Sequence, residues 1–127
     1  MVHLAGLTIQ PQHDEQMLAH ILSSPINEEV CGFIAITDNI SQAVFPITNT
    51  THSPTRFLMD AEEQLKAFLT IKKQGWELGA IYHTHLNGCD HPSETDIAEA
   101  AYPEAIYLIW YKENDVWQCK GYTMMDT

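Results

Sequence analysis

The run VCGFIAI, Val30 to Ile36, constrains this chain most. It carries no charge and reads as a strand buried inside a sheet. The sequence around it supplies matching pieces. HLAGLTI, ahead of it, is a short strand candidate. Pro11 suits the first turn of a helix, along which Met17, Leu18, Ile21 and Leu22 recur at helical spacing until Pro25. Asp38-Asn39 offers a turn into QAVFPI, a strand expected near an edge because Pro46 lacks a donor. The polar segment NTTHSPTRFLMD ends in a short strand candidate at Phe57 to Met59, and Asp60 with Glu63 resembles a capping box. Leu65, Phe68, Leu69 and Lys72 continue that helix to Gly75. WELGAIYHTH is the next strand. SETDIAEAAY reads as a short helix ended by Pro103, and AIYLIWY and VWQCKGY are two strands joined at KEND. Interleaved strands and helices with a final antiparallel pair predict an α/β fold of the mixed α+β kind, a mixed central sheet flanked by helices.

The length of 127 residues fits a single domain over 1–127, long enough to bury a core without staples. Acidic residues number 17 against 6 basic ones, for a net charge of -11. Such a chain repels phosphate backbones and anionic membrane surfaces, so neither nucleic acid nor membrane is expected as a partner. The three cysteines are odd in number and widely spaced, with no CxxC pair. They predict reduced thiols rather than a disulfide framework. The start MVHLAGLTIQ lacks the basic opening and long apolar core of a leader, and no apolar run reaches membrane-spanning length. The expectation is a cytoplasmic protein.

Metal-capable and proton-transferring groups crowd into YHTHLNGCDHPSETD, Tyr82 to Asp96. His83 and His85 lie two apart, so a strand running through them points both imidazoles to one face. Two imidazoles on a rigid face begin a zinc site, and a catalytic zinc takes a third protein ligand and keeps one position open. Asp96, one helical turn after Ser93, is the candidate third ligand. His91, Asp90 and Cys89 share the loop and remain alternatives, although Gly88 and Pro92 turn it outward. Taken alone, Ser93-x-x-Asp96 after Pro92 is a helix capping box with no catalytic meaning. Glu29, taken alone, is a solvated residue before a strand.

Together these residues resemble the JAMM motif of the MPN-plus metalloproteases. That motif reads H-S/T-H-P, six residues, then S-x-x-D, with an upstream glutamate just before a strand of the type x-C/A-G-hydrophobic. Here His83-Thr84-His85, seven residues, Ser93, two residues and Asp96 follow NEEVCGFIAI. Glu29 stands where the glutamate belongs, with Glu28 as its neighbouring alternative. SPTRFLMDAEEQLKAF and GWELGAIYHTH are also similar to small prokaryotic members, so the resemblance covers most of the chain. One departure is Leu86 in place of the usual proline. It removes no ligand and no proton donor, and predicts a looser loop around an intact site.

The resemblance implies a single MPN-type domain with a cytidine-deaminase-like architecture and one Zn²⁺ per chain, held by His83, His85 and Asp96. It implies hydrolysis of an amide or isopeptide bond, with Glu29 as general base and Ser93 as donor to the developing oxyanion. The small prokaryotic members imply substrates that end in a flexible Gly-Gly tail, namely ubiquitin-like or sulfur-carrier proteins. The 53 residues between Glu29 and His83 leave little room for a large insertion, which favours an open groove. A homodimer is compatible with this reading. A non-catalytic MPN scaffold and a zinc hydrolase of small peptides are the competing readings. Among the remaining residues, Cys31 is expected in the sheet core and Cys89 as loop filler. Thr84 is expected to pack or hydrogen-bond on the opposite strand face. Arg56 and Asn49 are weak candidates for substrate contact, and Trp76, Trp110 and Trp117 are expected in the core or at its rim.

Overall fold

The computed structural model describes residues 2–124. Its elements are β1 (Val2–Leu4), β2 (Leu7–Ile9), α1 (Pro11–Leu22), β3 (Cys31–Thr37), β4 (Ile40–Ile47), α2 (Ala61–Gln74), β5 (Glu77–His85), α3 (Glu94–Ala98), β6 (Ile106–Glu113) and β7 (Val116–Thr123). The strands form a mixed sheet in the order β1-β2-β4-β3-β5-β6-β7. β3 runs antiparallel to both β4 and β5, β5 pairs in parallel with β6, and β6 pairs antiparallel with β7. VCGFIAI is thus a central strand, as its apolar run requires.

Alternation along β3 and β5 divides the core between two faces. Ile34, Ile36, Ala80 and Tyr82 pack with Met17 and Ile21 of α1. Cys31, Phe33 and Ile81 pack with Ala67 of α2, and with Phe68 at its margin. Each helix therefore covers one face. α1 begins at Pro11 and buries His13, Met17 and Ile21. α2 stops where Gly75 takes the left-handed conformation, φ 74°. The hairpins β3–β4 and β6–β7 close with two-residue turns of positive φ at each position, Asp38-Asn39 and Asn114-Asp115.

Four local expectations are corrected. HLAGLTI is a hairpin rather than one strand: Ala5 and Gly6 both have positive φ and turn β1 back on β2. Phe57 to Met59 forms only the isolated bridge Asn49↔Met59. The Asp60–Glu63 box is half made. Glu63 N–H donates to Asp60 Oδ2, while the Glu63 carboxylate is drawn off to the Thr48 N–H, 3.0 Å away. The helix of SETDIAEAAY ends at Ala98 after five residues, because none of them is buried and no apolar face holds a longer one. Pro46 sits in β4, whose register with β2 is Thr8↔Ile40 only, so the proline meets no ladder on its outer side. Among the described residues no helix is long and apolar enough to cross a membrane.

One contact ties the sheet to α1 beside the histidines. Tyr82 of β5 is fully buried and lies opposite Gly32 of β3. Its ring occupies the space that a Cβ at residue 32 would take. Its hydroxyl reaches His20 Nδ1 at 2.7 Å. Gly32→Ala therefore forces overlap in a packed core and is expected to cost about 1–3 kcal/mol. Thermal unfolding checks this, and an unchanged melting temperature would show that the ring does not depend on the glycine.

Candidate metal centre

β5 carries His83 and His85 to its end on the α2 face, both buried. Their Nε2 atoms lie 3.2 Å apart. Asp96 Oδ2 lies 3.2 Å from His83 Nε2 and 2.8 Å from His85 Nε2. Among the described residues, these three form the group of His, Cys, Asp and Glu side chains whose ligand atoms converge. A tetrahedral zinc with bonds of about 2.0–2.1 Å sets its ligand atoms about 3.3 Å apart. The observed triangle is close to one face of that tetrahedron, and its two imidazoles and one carboxylate are a donor set that zinc accepts. The residues fit such an ion.

Asp96 reaches this point through the start of α3. The Ser93 N–H donates to Asp96 Oδ2 at 2.8 Å, and the Asp96 N–H donates to Ser93 Oγ at 3.0 Å. The capping box is real, and it aims the carboxylate at the histidines. Burial works to raise the Asp96 pKa, but the hydrogen bonds from His83 and His85 outweigh it and hold the carboxyl well below its usual range. Burial lowers the pKa of His83. For His85, burial also pulls downward, but the Asp96 hydrogen bond and the Cys89 carbonyl prevail and raise it.

Glu29 stands at the entrance to β3, buried at 4% exposure. Its N–H donates to the Ser53 carbonyl at 2.8 Å, and its carbonyl accepts from Asn49 Nδ2 at 3.0 Å. Thr84 joins this end of β3 to β5. Its Oγ1 accepts from the Val30 N–H at 2.8 Å, and its own N–H donates to the Val30 carbonyl at 3.0 Å. Glu29 lines a cleft with His85, Cys89 and Ser93. Its Oε1 is buried with no hydrogen-bond partner. Burial pushes its carboxyl up to about 8, with His85 opposing and Asp96 adding to the shift. Glu28, the alternative, pairs with His52 at 3.2 Å and is not among the converging donors.

The structure therefore brings Glu29, His83, His85, Ser93 and Asp96 together. It separates the alternatives from them. His91 is exposed and contacts Asp90 and Cys89. Asp90 pairs with Lys120 at 2.6 Å. The Cys89 thiol lies 3.5 Å from the His91 ring and not among the converging donors. Cys31 is in the core, where burial pushes its thiol up to about 12. Trp110 is buried, with Trp76 and Trp117 at the rim.

Asn49 and Arg56, weak candidates for substrate contact from the sequence, both have partners within the chain. Asn49 is buried, and its amide is spent on the backbone. Nδ2 donates to the carbonyls of Glu29 and Arg56, and Oδ1 accepts from the N–H groups of Thr51 and Leu58. Arg56 Nη2 donates to both oxygens of the Glu99 carboxylate, 2.7 and 3.0 Å, beyond the end of α3. Two further supports escaped sequence reasoning. Phe57 stacks on the His83 ring, centroids 4.5 Å apart at 32°. The Cys89 carbonyl accepts from His85 Nδ1 at 3.0 Å. Only the apolar character of Phe57 left a trace in the sequence.

Comparison with known proteins agrees with this geometry. The family model described as prokaryotic homologs of the JAB domain matches residues 11–120. The chain is 35% identical over 101 residues to a desampylase of Pyrococcus furiosus, covering 80% of this chain and 71% of the relative. It is 32% identical over 84 residues to a CysO-cysteine peptidase of Mycobacterium tuberculosis, covering 65% and 58%. It is 38% identical over 87 residues to a probable TtuB-protein conjugate cleaving protease of Thermus thermophilus, covering 68% and 57%. The chain thus spans less than two thirds of the length of the latter two relatives. The solution structure of a Desulfitobacterium hafniense protein shares the fold with a TM-score of 0.78 at 32% identity, over 91% of this chain and 82% of that one. A Salinibacter ruber protein shares the fold alone, with a TM-score of 0.65 at 23% identity over 92% and 81%. With the family model matched from the first helix into the last strand, this chain belongs to the prokaryotic homologs of the JAB domain.

Proposed function

We propose that this protein is a zinc-dependent isopeptidase that cleaves at the C-terminal tail of a ubiquitin-like or sulfur-carrier protein. The observation that carries the reading is a buried glutamate with a free carboxylate oxygen, beside three converging donors. The relatives named for desampylation, CysO-cysteine cleavage and TtuB-conjugate cleavage support the substrate class. His83, His85 and Asp96 would hold the metal. When bound, zinc supplies Lewis-acid chemistry, acidifying water and polarising a carbonyl.

The chain's own groups divide the proton and charge work. Glu29 Oε1 takes a proton from the attacking water and returns it to the leaving amine nitrogen. A positioned base of this kind contributes roughly 10²–10⁴-fold in rate. Ser93 Oγ accepts from the Asp96 N–H, which leaves its hydroxyl proton free to donate. Ser93 lines the cleft shared with Glu29, where that proton can stabilise a developing oxyanion. A glycine tail fits this arrangement because it approaches buried donors without side-chain clash. Extended chain can also bind by main-chain hydrogen bonds.

Glu29→Gln is expected to keep zinc and lose turnover by roughly 10²–10⁴-fold. Elemental analysis and a fluorogenic Gly-Gly amide assay measure the two, and turnover at the wild-type rate would remove Glu29 from the mechanism. Asp96→Ala should lose zinc, and unchanged metal content would return His91 or Cys89 to candidacy. In the same assay a chelator should abolish hydrolysis. Absence of hydrolysis by the metal-loaded protein would favour the scaffold reading. Faster cleavage of a β-grasp fusion than of a free dipeptide is the expected ranking, and the reverse would favour a small-peptide hydrolase.

A further inference from the structure

Loop 86–92 leaves β5 and folds back against the last two strands. A turn with Leu86 in place of a proline has little stiffness of its own. Its local bonds are Gly88 N–H to the His85 carbonyl, 3.5 Å, and Cys89 N–H to Asn87 Oδ1, 3.0 Å. Gly88 sits at φ 83°. The loop also has anchors beyond itself. β7 grips it from outside. The Tyr122 hydroxyl donates to the Asp90 carbonyl at 2.6 Å, and Lys120 Nζ donates to Asp90 Oδ2 at 2.6 Å. Register places both residues on the histidine face: Lys120 lies opposite Ile109, which lies opposite His83, and Tyr122 follows two residues on. One residue before Asp90, the Cys89 carbonyl accepts from His85 Nδ1.

We propose that Tyr122 and Lys120 are positioning residues for His85, holding Asp90 so that the Cys89 carbonyl stays on Nδ1 and Nε2 stays aimed at Asp96. A carbonyl on Nδ1 commits that nitrogen as a donor and leaves the Nε2 lone pair for a metal. The outer partner of His85 is the Cys89 carbonyl. Here it is delivered by a loop whose anchor is another strand, so ligand orientation is linked to the docking of β7. The Asp90 carboxylate is exposed, which makes the lysine contact the weaker member. The tyrosine contact is half-buried and reaches the main chain directly.

The inference rests on the reading of His85 as a ligand. The test uses the purified chain, with zinc affinity measured by chelator competition and exchange of the His85 Nδ1 proton followed by NMR. Tyr122→Phe with Lys120→Met is expected to lower zinc affinity about 10-fold and to speed proton exchange. Lys120→Arg alone should stay at the wild-type value. Ile9→Val, a mild core change on β2 far from the loop, controls for general destabilisation and should move neither readout. Wild-type affinity and exchange in the double variant would overturn the inference, and so would an equal loss in Ile9→Val. His85→Ala separates the two levels. Wild-type affinity there overturns the ligand reading itself, whereas lost affinity there with full affinity in the double variant overturns the β7 grip alone.

Discussion

The pair of hydrogen bonds between Val30 and Thr84 governs the rest of the site. Glu29 and the two histidines lie 54 or more residues apart in sequence, on strands that could slip relative to one another. A slip by one residue would turn both imidazoles to the α1 face. Thr84 prevents it by accepting from the Val30 N–H through Oγ1 and donating to the Val30 carbonyl through its own N–H. The residue between the two candidate ligands is therefore the stitch that joins the two halves. Tyr82 works to the same end one step earlier, since its ring fits only over Gly32.

Around that stitch the site is assembled from supports of different kinds. Asn49 draws the 49–58 segment onto the backbone of Glu29. Phe57, from the same segment, covers His83. Arg56 reaches from it to Glu99 at the end of α3. A helix of five residues with no buried side chain cannot hold its place by packing. Its position comes from two tethers: Asp96 on His83 and His85, and the Arg56–Glu99 pair.

The strands and long helices were legible because their signals are periodic and local. Val30–Ile36, the two helices with their proline and glycine stops, and the closing hairpin all follow from residue type and spacing. The histidine pair was legible for the same reason, since a period of two puts His83 and His85 on one face. The HLAGLTI hairpin was missed because two positive φ values at Ala5-Gly6 leave only a lone glycine as a sign. The supports were illegible for a deeper reason. Asn49 acts on main-chain groups, and the acceptor for His85 is a main-chain carbonyl, so no side chain in the sequence marks either contact. The Arg56 pair was hidden by distance, since its partner Glu99 lies 43 residues away.

Asp96 carries two duties in one carboxylate. Its Oδ2 accepts from the Ser93 N–H to start α3, and the same oxygen meets both histidines. Substitution at this position is therefore confined from two sides at once. Asparagine would keep a cap but forfeit the anionic donor. Glutamate would keep the charge but overreach the first turn. Alanine would lose both. A change at residue 96 would therefore disturb the histidine cluster and the start of the helix together.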